Sequence, residues 1–481
     1  MDRTDSLDAP GEPVTVHAPA GTIIGRRTGR TRRFLGIPFA EAPTGARRFA
    51  APVRRGRFPE PFDASRHGAT AQCVPLFATT TVPEPSVPGD DVLNLGIVTP
   101  ATDADDRVPF PVMVWIHGGA FLAGSQASPW YDGRAFARDG VVCVTVGYRL
   151  GVDGFALLDD VPTNLGLRDL LLALDWVQEN IAAFGGDPDR VTVAGQSAGG
   201  AAVLALLSSP AGGGRFHRAV SLSGVTHDVG ADAARDFLCR LGNRLGVPPT
   251  RAGFGSRTVE HIQQAVIDLR DERDDNTLVL GPFVGDDILP VSLTDGLGVH
   301  GHDIPLLLGA TGDEFDGAAA PRDPHPSPSR TAELAADLAA EAAARAAGTR
   351  VTDTLFRAAC QRVAVSRRDA AADTWLYSFE WPSPVLGGAT HCIDIPFFFD
   401  VLYAPGAAEA LGPNPPAELA GSMHADLVGF VRGQEPTWAR ATGALGDPAR
   451  EYGRPGGALA ADTAGVFDPV VPTPSEGAEA C

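Results

Sequence analysis

Residues 186–207 read GDPDRVTVAGQSAGGAAVLALL, and the order of residue types within them decides the fold. Asp187-Pro188 marks a turn. Val191–Ala194 is a short apolar run that reads as a buried strand. Ala201–Leu207 is an Ala/Leu run that reads as a helix. Between them stands Gly195-Gln196-Ser197-Ala198-Gly199, a G-x-S-x-G run. A strand that becomes a helix within so few residues must turn sharply. The backbones crowd there, so small residues are needed on both sides of the serine. Such a turn lifts the Ser197 hydroxyl clear of the chain and leaves it at a helix N-terminus, where partial positive charge favours an oxyanion. With 56 glycines in the chain the pentapeptide alone is weak. Its place between strand and helix makes Ser197 a candidate nucleophile.

Working outward, further apolar runs predict strands at Pro111–Ile116, Val141–Val146, Ala219–Leu222, Pro305–Gly309 and Trp375–Glu380. Gly166–Ala183 carries Leu167, Leu170, Leu171, Leu174, Val177 and Ile181 at helical spacing. Strands alternating with helices predict an α/β fold: a large, mostly parallel mixed sheet flanked by helices. Residues 14–37 alternate apolar and polar with glycine breaks, so an N-terminal β meander is expected within 14–60. Ten arginines fall between Arg26 and Arg57; solvated hairpin turns explain them better than a polyanion site. Residues 74–90, rich in Pro and Thr, read as a surface loop. PRDPHPSPSR leads into AELAADLAAEAAARAA, an Ala-dominated pattern that suits a periphery. Residues 317–372 are therefore expected to hold a peripheral cap or lid.

Composition removes several alternatives. The chain has 481 residues and a net charge of −20, which repels phosphate backbones, so no nucleic-acid partner is expected. It contains no lysine; all 39 basic residues are arginine. Schiff-base chemistry, a pyridoxal anchor and a P-loop lysine are thereby excluded. No apolar run reaches the ~18–20 residues of a membrane span. The six cysteines (73, 143, 239, 360, 392, 481) show no CxxC pair and no metal-ligand spacing, so no metal is expected; a serine-based acyl transfer would need no cofactor either. Free thiols and an N-terminus without an apolar core lead to the expectation of a cytoplasmic protein.

A second chemical element follows the strand Pro111–Ile116: His117-Gly118-Gly119-Ala120-Phe121. Acyl transfer builds negative charge on a carbonyl oxygen, and preorganised N–H groups must face it. A glycine pair can turn both amides inward, as in the HGG element that stands opposite a serine elbow. His117 precedes the nucleophile and reads as structural.

With these residues in view, the chain resembles the type B carboxylesterases, the cholinesterase-like and para-nitrobenzyl esterase-like branch of the α/β-hydrolase fold. FLGIPFAEAPTGARRFAAP (34–52), VMVWIHGGAFLAGS (112–125) and YRLGVDGF (148–155) carry the likeness. So do NLGLRDLLLALDWVQENIAAFGGDPDRVTVAGQSAGG (164–200), FHRAVSLSG (216–224), LLLGATGDEF (306–315) and GATHCIDIPFFF (388–399). The resemblance implies a serine carboxylesterase acting through an acyl-enzyme, with a small-molecule ester as its partner and a monomer or homodimer as its state. It assigns the base to His391 and the acid to Glu314, with Asp313 and Asp316 as competitors in the same turn. It assigns an oxyanion hole to the amides of Gly118, Gly119 and Ala198. His424 also follows Ser197, but a helical pattern marks it as structural. Ser223 matches a serine that hydrogen-bonds the acid, and Gln196 stands where many relatives carry Glu. Arg149–Asp169 and Arg48–Asp90 match two family ion pairs.

The departures matter as much. Phe315 replaces the usual glycine after the acid. Cys73 matches the first cysteine of a family disulfide whose partner position is here Val92. Residues 74–91 hold no Trp for choline, so acetylcholine is an improbable substrate. The interval from Glu314 to His391 is short for the family, so the resemblance implies a reduced helical cap on a single domain spanning 1–481. Two other readings compete: a carbamate or amide hydrolase or acyltransferase using the same residues, and a non-catalytic binding protein on the same fold.

Overall fold

The computed structural model describes residues 11–72, 74–75, 81–101, 108–226, 229–272, 280–315 and 346–468. Among them, thirteen strands join in one mixed sheet. In chain order these are β1 (Glu12–Ala18), β2 (Gly21–Thr28), β3 (Thr31–Pro38), β4 (Phe62–Asp63), β5 (Asn94–Pro100), β6 (Phe110–Ile116) and β7 (Val142–Val146). There follow β8 (Gly186–Gln196), β9 (Arg218–Leu222), β10 (Leu306–Thr311), β11 (Thr374–Phe379), β12 (Pro448–Tyr452) and β13 (Ala460–Ala464). The spatial order is 1-2-3-5-7-6-8-9-10-11-12-13, with β4 beside β2. From β7 to β12 every neighbouring pair is parallel. Strands β1, β2, β3 and β5 at one edge and β13 at the other pair antiparallel, while the short β4 lies parallel to β2. The parallel strands are buried almost throughout, which is why they read as continuous apolar runs.

Two helices bear on the site. Helix α1 (Leu165–Asn180) packs on one face of the sheet, and α2 (Ala198–Ser208) is buried along its whole length. Burial all round explains why α2 shows no amphipathic pattern and, but for its last residue Ser208, consists of Ala, Gly, Val and Leu. The Arg149 guanidinium, just past β7, binds Asp169 of α1 bidentately at 2.8 and 2.7 Å, and both side chains are buried. Asp169 also accepts the Arg149 backbone amide, and Arg149 reaches the Ala50 carbonyl at 2.7 Å. This pair pins α1 to the end of the strand next to β6.

Several local expectations need correction. Arg48 does not pair with Asp90. Its guanidinium binds Asp153 bidentately at 2.6 and 3.0 Å, because the chain after β7 folds back over the 45–50 turn. Past β3 the pairing thins to a single antiparallel bridge between Ala40 and Arg54, with the Glu41 amide on the Val53 carbonyl at 2.8 Å and the Arg55 amide on the Phe39 carbonyl at 3.1 Å. The Asp187-Pro188 turn falls within β8: between Gly186, opposite Phe110, and Val191, opposite Val112, the strand loops out of register with β6, and the Asp187 carboxylate accepts the Asp189 amide at 3.0 Å. Of the expected cap, the Ala-rich segment lies outside the described residues. The described remainder holds a π-helical turn at Thr352–Arg357 that continues as α3 (Ala358–Ser366). His424 sits buried on α4 (Ala417–Val431), bonded to the Phe398 carbonyl and to Asp139. No described helix is long and apolar enough to cross a membrane.

Candidate active site

Ser197 joins β8 to α2 with φ 57° and ψ −123°, a conformation costly for a residue with a Cβ. The surroundings over-determine it. Its amide donates to the Leu222 carbonyl of β9 at 2.8 Å, and its carbonyl accepts the Ala201 amide of the first helical turn at 2.8 Å. The close approach demands glycine: a Cβ on Gly199 would lie 2.0 Å from the Ile116 carbonyl oxygen of β6. The small residues around the serine are thus a steric requirement of wedging a helix start between three strand ends.

Gly118 lies directly against this turn; a Cβ there would come 3.0 Å from the Ser197 Cβ. Gly119 has φ 113°, and its carbonyl accepts the Leu122 and Ala123 amides at 2.9 and 3.0 Å. His117 Nδ1–H donates to the Gly118 carbonyl at 2.8 Å, its ring stacks on Tyr148 and the Tyr148 hydroxyl donates to its carbonyl. Burial pushes the His117 pKa down to about 4, so this ring stays neutral and holds the loop. Gln72 clamps the far end by accepting the Gly124 amide at 2.6 Å.

Glu314 follows β10 and is buried. One carboxylate oxygen accepts the Thr311 amide at 2.9 Å; the other accepts His391 Nδ1–H. His391 Nε2 faces Ser197 Oγ at 2.9 Å. The Gln196 amide nitrogen lies 3.3 Å from the same ring nitrogen. Serine, imidazole and carboxylate therefore form one continuous hydrogen-bonded line across residues 194 and 77 positions apart in the chain. Burial works against charge on this imidazole, but the neighbouring Cys392 and Glu314 outweigh it and hold the His391 pKa well above its ordinary 6.5. Burial pushes the Cys392 thiol up, and the neighbouring His391 works against that shift.

Asp313 faces away from the ring and zips the acid turn to the histidine loop. Its carboxylate accepts the Ala389 amide at 2.8 Å and its own amide donates to the Ala389 carbonyl at 3.0 Å. The His391 amide adds a third bond, to the Glu314 carbonyl at 2.9 Å. Asp316 lies outside the described residues. The expected bond from Ser223 to the acid is not formed: Ser223 Oγ is buried without a hydrogen-bond partner, on a residue at φ 48°. The left-handed backbone follows from the tight exit of β9, where the Ser223 amide must reach the Gly309 carbonyl.

Three features escape a reading of the sequence. Phe315 stacks on the His391 ring and Phe356 packs against it at a tilt. Asp394, three residues after His391, is fully buried; burial raises its pKa to about 7, and it accepts the Tyr377 hydroxyl at 3.0 Å. The third is the Asp313 splint. The Phe that replaces a family glycine was the one signal available for the first. Among the described residues no group of His, Cys, Asp and Glu could hold a metal ion.

The chain as a whole is similar to proteins of one family. Residues 12–339 match the carboxylesterase family. A para-nitrobenzyl esterase from Bacillus subtilis (strain 168) is 33% identical over 407 residues, 79% of this chain and 81% of its own length. A phenmedipham hydrolase from Pseudarthrobacter oxydans is 31% identical over 468 residues, covering 88% of this chain and 90% of itself. Among solved structures, a PNB esterase superposes with a TM-score of 0.79 at 28% identity, covering 94% of this chain and 97% of the other. The Geobacillus stearothermophilus carboxylesterase Est55 does so with a TM-score of 0.74 at 30% identity, covering 94% and 98%.

Proposed function

This chain belongs to the carboxylesterase family and is a hydrolase of carboxylic esters, and we propose that it works through an acyl-enzyme on Ser197, with His391 as general base and Glu314 as the acid that orients it. The observation carrying this reading is the unbroken line from Ser197 Oγ through His391 to Glu314. His391 takes the Ser197 proton as the oxygen attacks the ester carbonyl. The amides of Gly118, Gly119 and Ala198 receive the developing oxyanion. Glu314 keeps the proton on Nδ1, so that Nε2 is free to accept, and balances the imidazolium that forms. Protonated His391 then gives its proton to the leaving alcohol, and water repeats the sequence on the acyl group.

Gln196 brings a neutral amide to the imidazole where a carboxylate would add charge, which supports uncharged rather than cationic alcohol groups. The kinship to para-nitrobenzyl esterases supports small aryl and benzyl esters as first substrates. Unpaired Cys143, Cys239, Cys360 and Cys392, with Cys239 exposed, support a reducing, cytoplasmic location in a bacterium. The test is hydrolysis of p-nitrophenyl and p-nitrobenzyl esters by wild type and Ser197→Ala. Folded Ser197→Ala should lose nearly all turnover. Mass spectrometry with a slowly deacylated ester should find the acyl group on Ser197 alone. Wild-type rates in Ser197→Ala would remove the reading.

A further inference from the structure

We propose, resting on the assignment of His391 as base, that Phe315 is a positioning residue: its ring, laid against one face of the His391 imidazole and steadied by Phe356, holds that imidazole in the plane joining Ser197 to Glu314. The two rings lie nearly parallel, 28° apart, with centroids 5.1 Å from each other. Phe356 meets the same imidazole at 5.2 Å and 54°, and Phe315 itself at 5.6 Å and 27°. Three rings from three separate segments therefore pack on one another around the base.

Burial does not account for Phe315, which remains 45% exposed. Phe356 is its opposite, almost wholly buried, and it reaches the imidazole from the π-helical turn Thr352–Arg357. Such widened turns are rare and are often found at functional sites. The Phe315 amide also points to Thr352 Oγ1 of this turn, at 3.4 Å. The acid turn and the π-helical turn are thus joined at the aromatic pair.

The geometry gives the rings a task. Hydrogen bonds at Nδ1 and Nε2 fix an axis through the imidazole but leave it free to rock about that axis. A ring stacked on its face resists the rocking. A phenyl face is also electron-rich, so it stabilises the imidazolium that forms as Ser197 loses its proton. The charged or titratable neighbours are Glu314 and Asp313 on the acid turn, Cys392 and Asp394 after the base, and Cys360 on α3. On the π-helical turn Arg357 pairs with Asp353 at 3.4 Å. A change confined to residue 315 leaves all of these in place, so a change in the titration of the base reports the ring.

The experiment is the pH dependence of kcat and kcat/KM on p-nitrophenyl acetate for wild type, Phe315→Ala, Phe315→Leu and Phe315→Tyr, with His391→Ala alongside. Melting curves establish that each is folded. Phe315→Ala should lower kcat about tenfold with KM within about twofold, because a small misplacement of the base costs rate rather than binding. Its acid-limb midpoint should fall by about half a pH unit. Phe315→Leu fills similar space without an aromatic face, so it should recover part of kcat but keep the lowered midpoint. Phe315→Tyr should restore both. If Phe315→Ala keeps the wild-type kcat and midpoint, or Phe315→Leu matches wild type throughout, the brace is overturned. Should Phe315→Ala fail to fold, the Leu and Tyr variants carry the comparison. Retained turnover in His391→Ala would overturn the assignment of the base, and the brace with it. Lost turnover there, with unchanged Phe315 variants, overturns the brace alone.

Discussion

Glu314→Gln isolates what the buried acid does, because the surroundings dictate how the new amide must sit. In the wild type one oxygen of Glu314 accepts the Thr311 amide at 2.9 Å and the other accepts His391 Nδ1–H. A glutamine has one acceptor and one donor end. The Thr311 N–H is fixed in the backbone and must be met by the amide oxygen; the reverse orientation sets two donors against each other at a buried site, costing about 1–3 kcal/mol. The amide NH2 is then left facing Nδ1, which must become an acceptor. The imidazole proton moves to Nε2 and points at Ser197 Oγ, so the base cannot take the serine proton. To react, the ring must adopt the disfavoured tautomer, and the imidazolium then forms without its buried counter-charge. A comparable neutralisation in another serine hydrolase triad costs on the order of 10⁴ in kcat, or about 5.4 kcal/mol at 1.36 kcal/mol per decade. Tautomer reversal accounts for about 1–3 kcal/mol of that, and the lost carboxylate for the rest. A second readout has a definite sign. Activity requires neutral His391, so wild-type kcat/KM should fall as pH drops through a midpoint above 6.5, Cys392 and Glu314 having raised it against the effect of burial. In Glu314→Gln the residual activity should show that midpoint moved down. The assay is p-nitrophenyl acetate hydrolysis across pH, with Asp313→Asn beside it. Asp313 only splints the Ala389 loop, so its amide variant should stay within about tenfold of wild type. An active Glu314→Gln with a crippled Asp313→Asn would refute the reasoning.

Gln196→Glu places a carboxylate next to His391 Nε2, which favours the imidazolium; the acid limb of kcat/KM should move to higher pH, with relative kcat/KM rising for esters of cationic alcohols, and an unmoved limb would count against the contact. Asp169→Ala leaves Arg149 buried without its counter-charge, so urea unfolding should show a loss of about 3–5 kcal/mol. A loss below about 1 kcal/mol would place the pair with ordinary surface bridges. Thiol titration of denatured, never-reduced protein should count all six cysteines; four or fewer would demand a disulfide and remove the cytoplasmic proposal.

What the sequence could and could not reveal follows the range of the interactions involved. The Ser197 turn was legible because its requirement is local: a helix start squeezed against the Ile116 carbonyl admits only glycine at 199, and that glycine is written two residues from the serine. The buried parallel strands were legible for a like reason, since burial on both faces leaves an uninterrupted apolar run. The Arg149–Asp169 pair came from resemblance, and the structure forms it across a helix and a strand that the family also holds together. Arg48 defeated the same reasoning. Its partner Asp153 lies 105 residues away on a different turn, and no periodicity reports which of two loops will fold over it. The choice among the acidic residues of the 313–316 turn was equally hidden, because the discriminating group is not a side chain at all. The backbone amide of Thr311 anchors one oxygen of Glu314, and the Ala389 amide takes Asp313 out of contention by claiming it for the loop. Phe315 is the instructive case. As a residue it looked like a defect in a glycine position. Beside His391 and Phe356 it is half of a packing arrangement whose other half arrives from a π-helical turn some forty residues on. A substitution that a motif scores as a mismatch can thus be the mark of a contact the motif does not contain, and only the folded chain shows which neighbour it was made for.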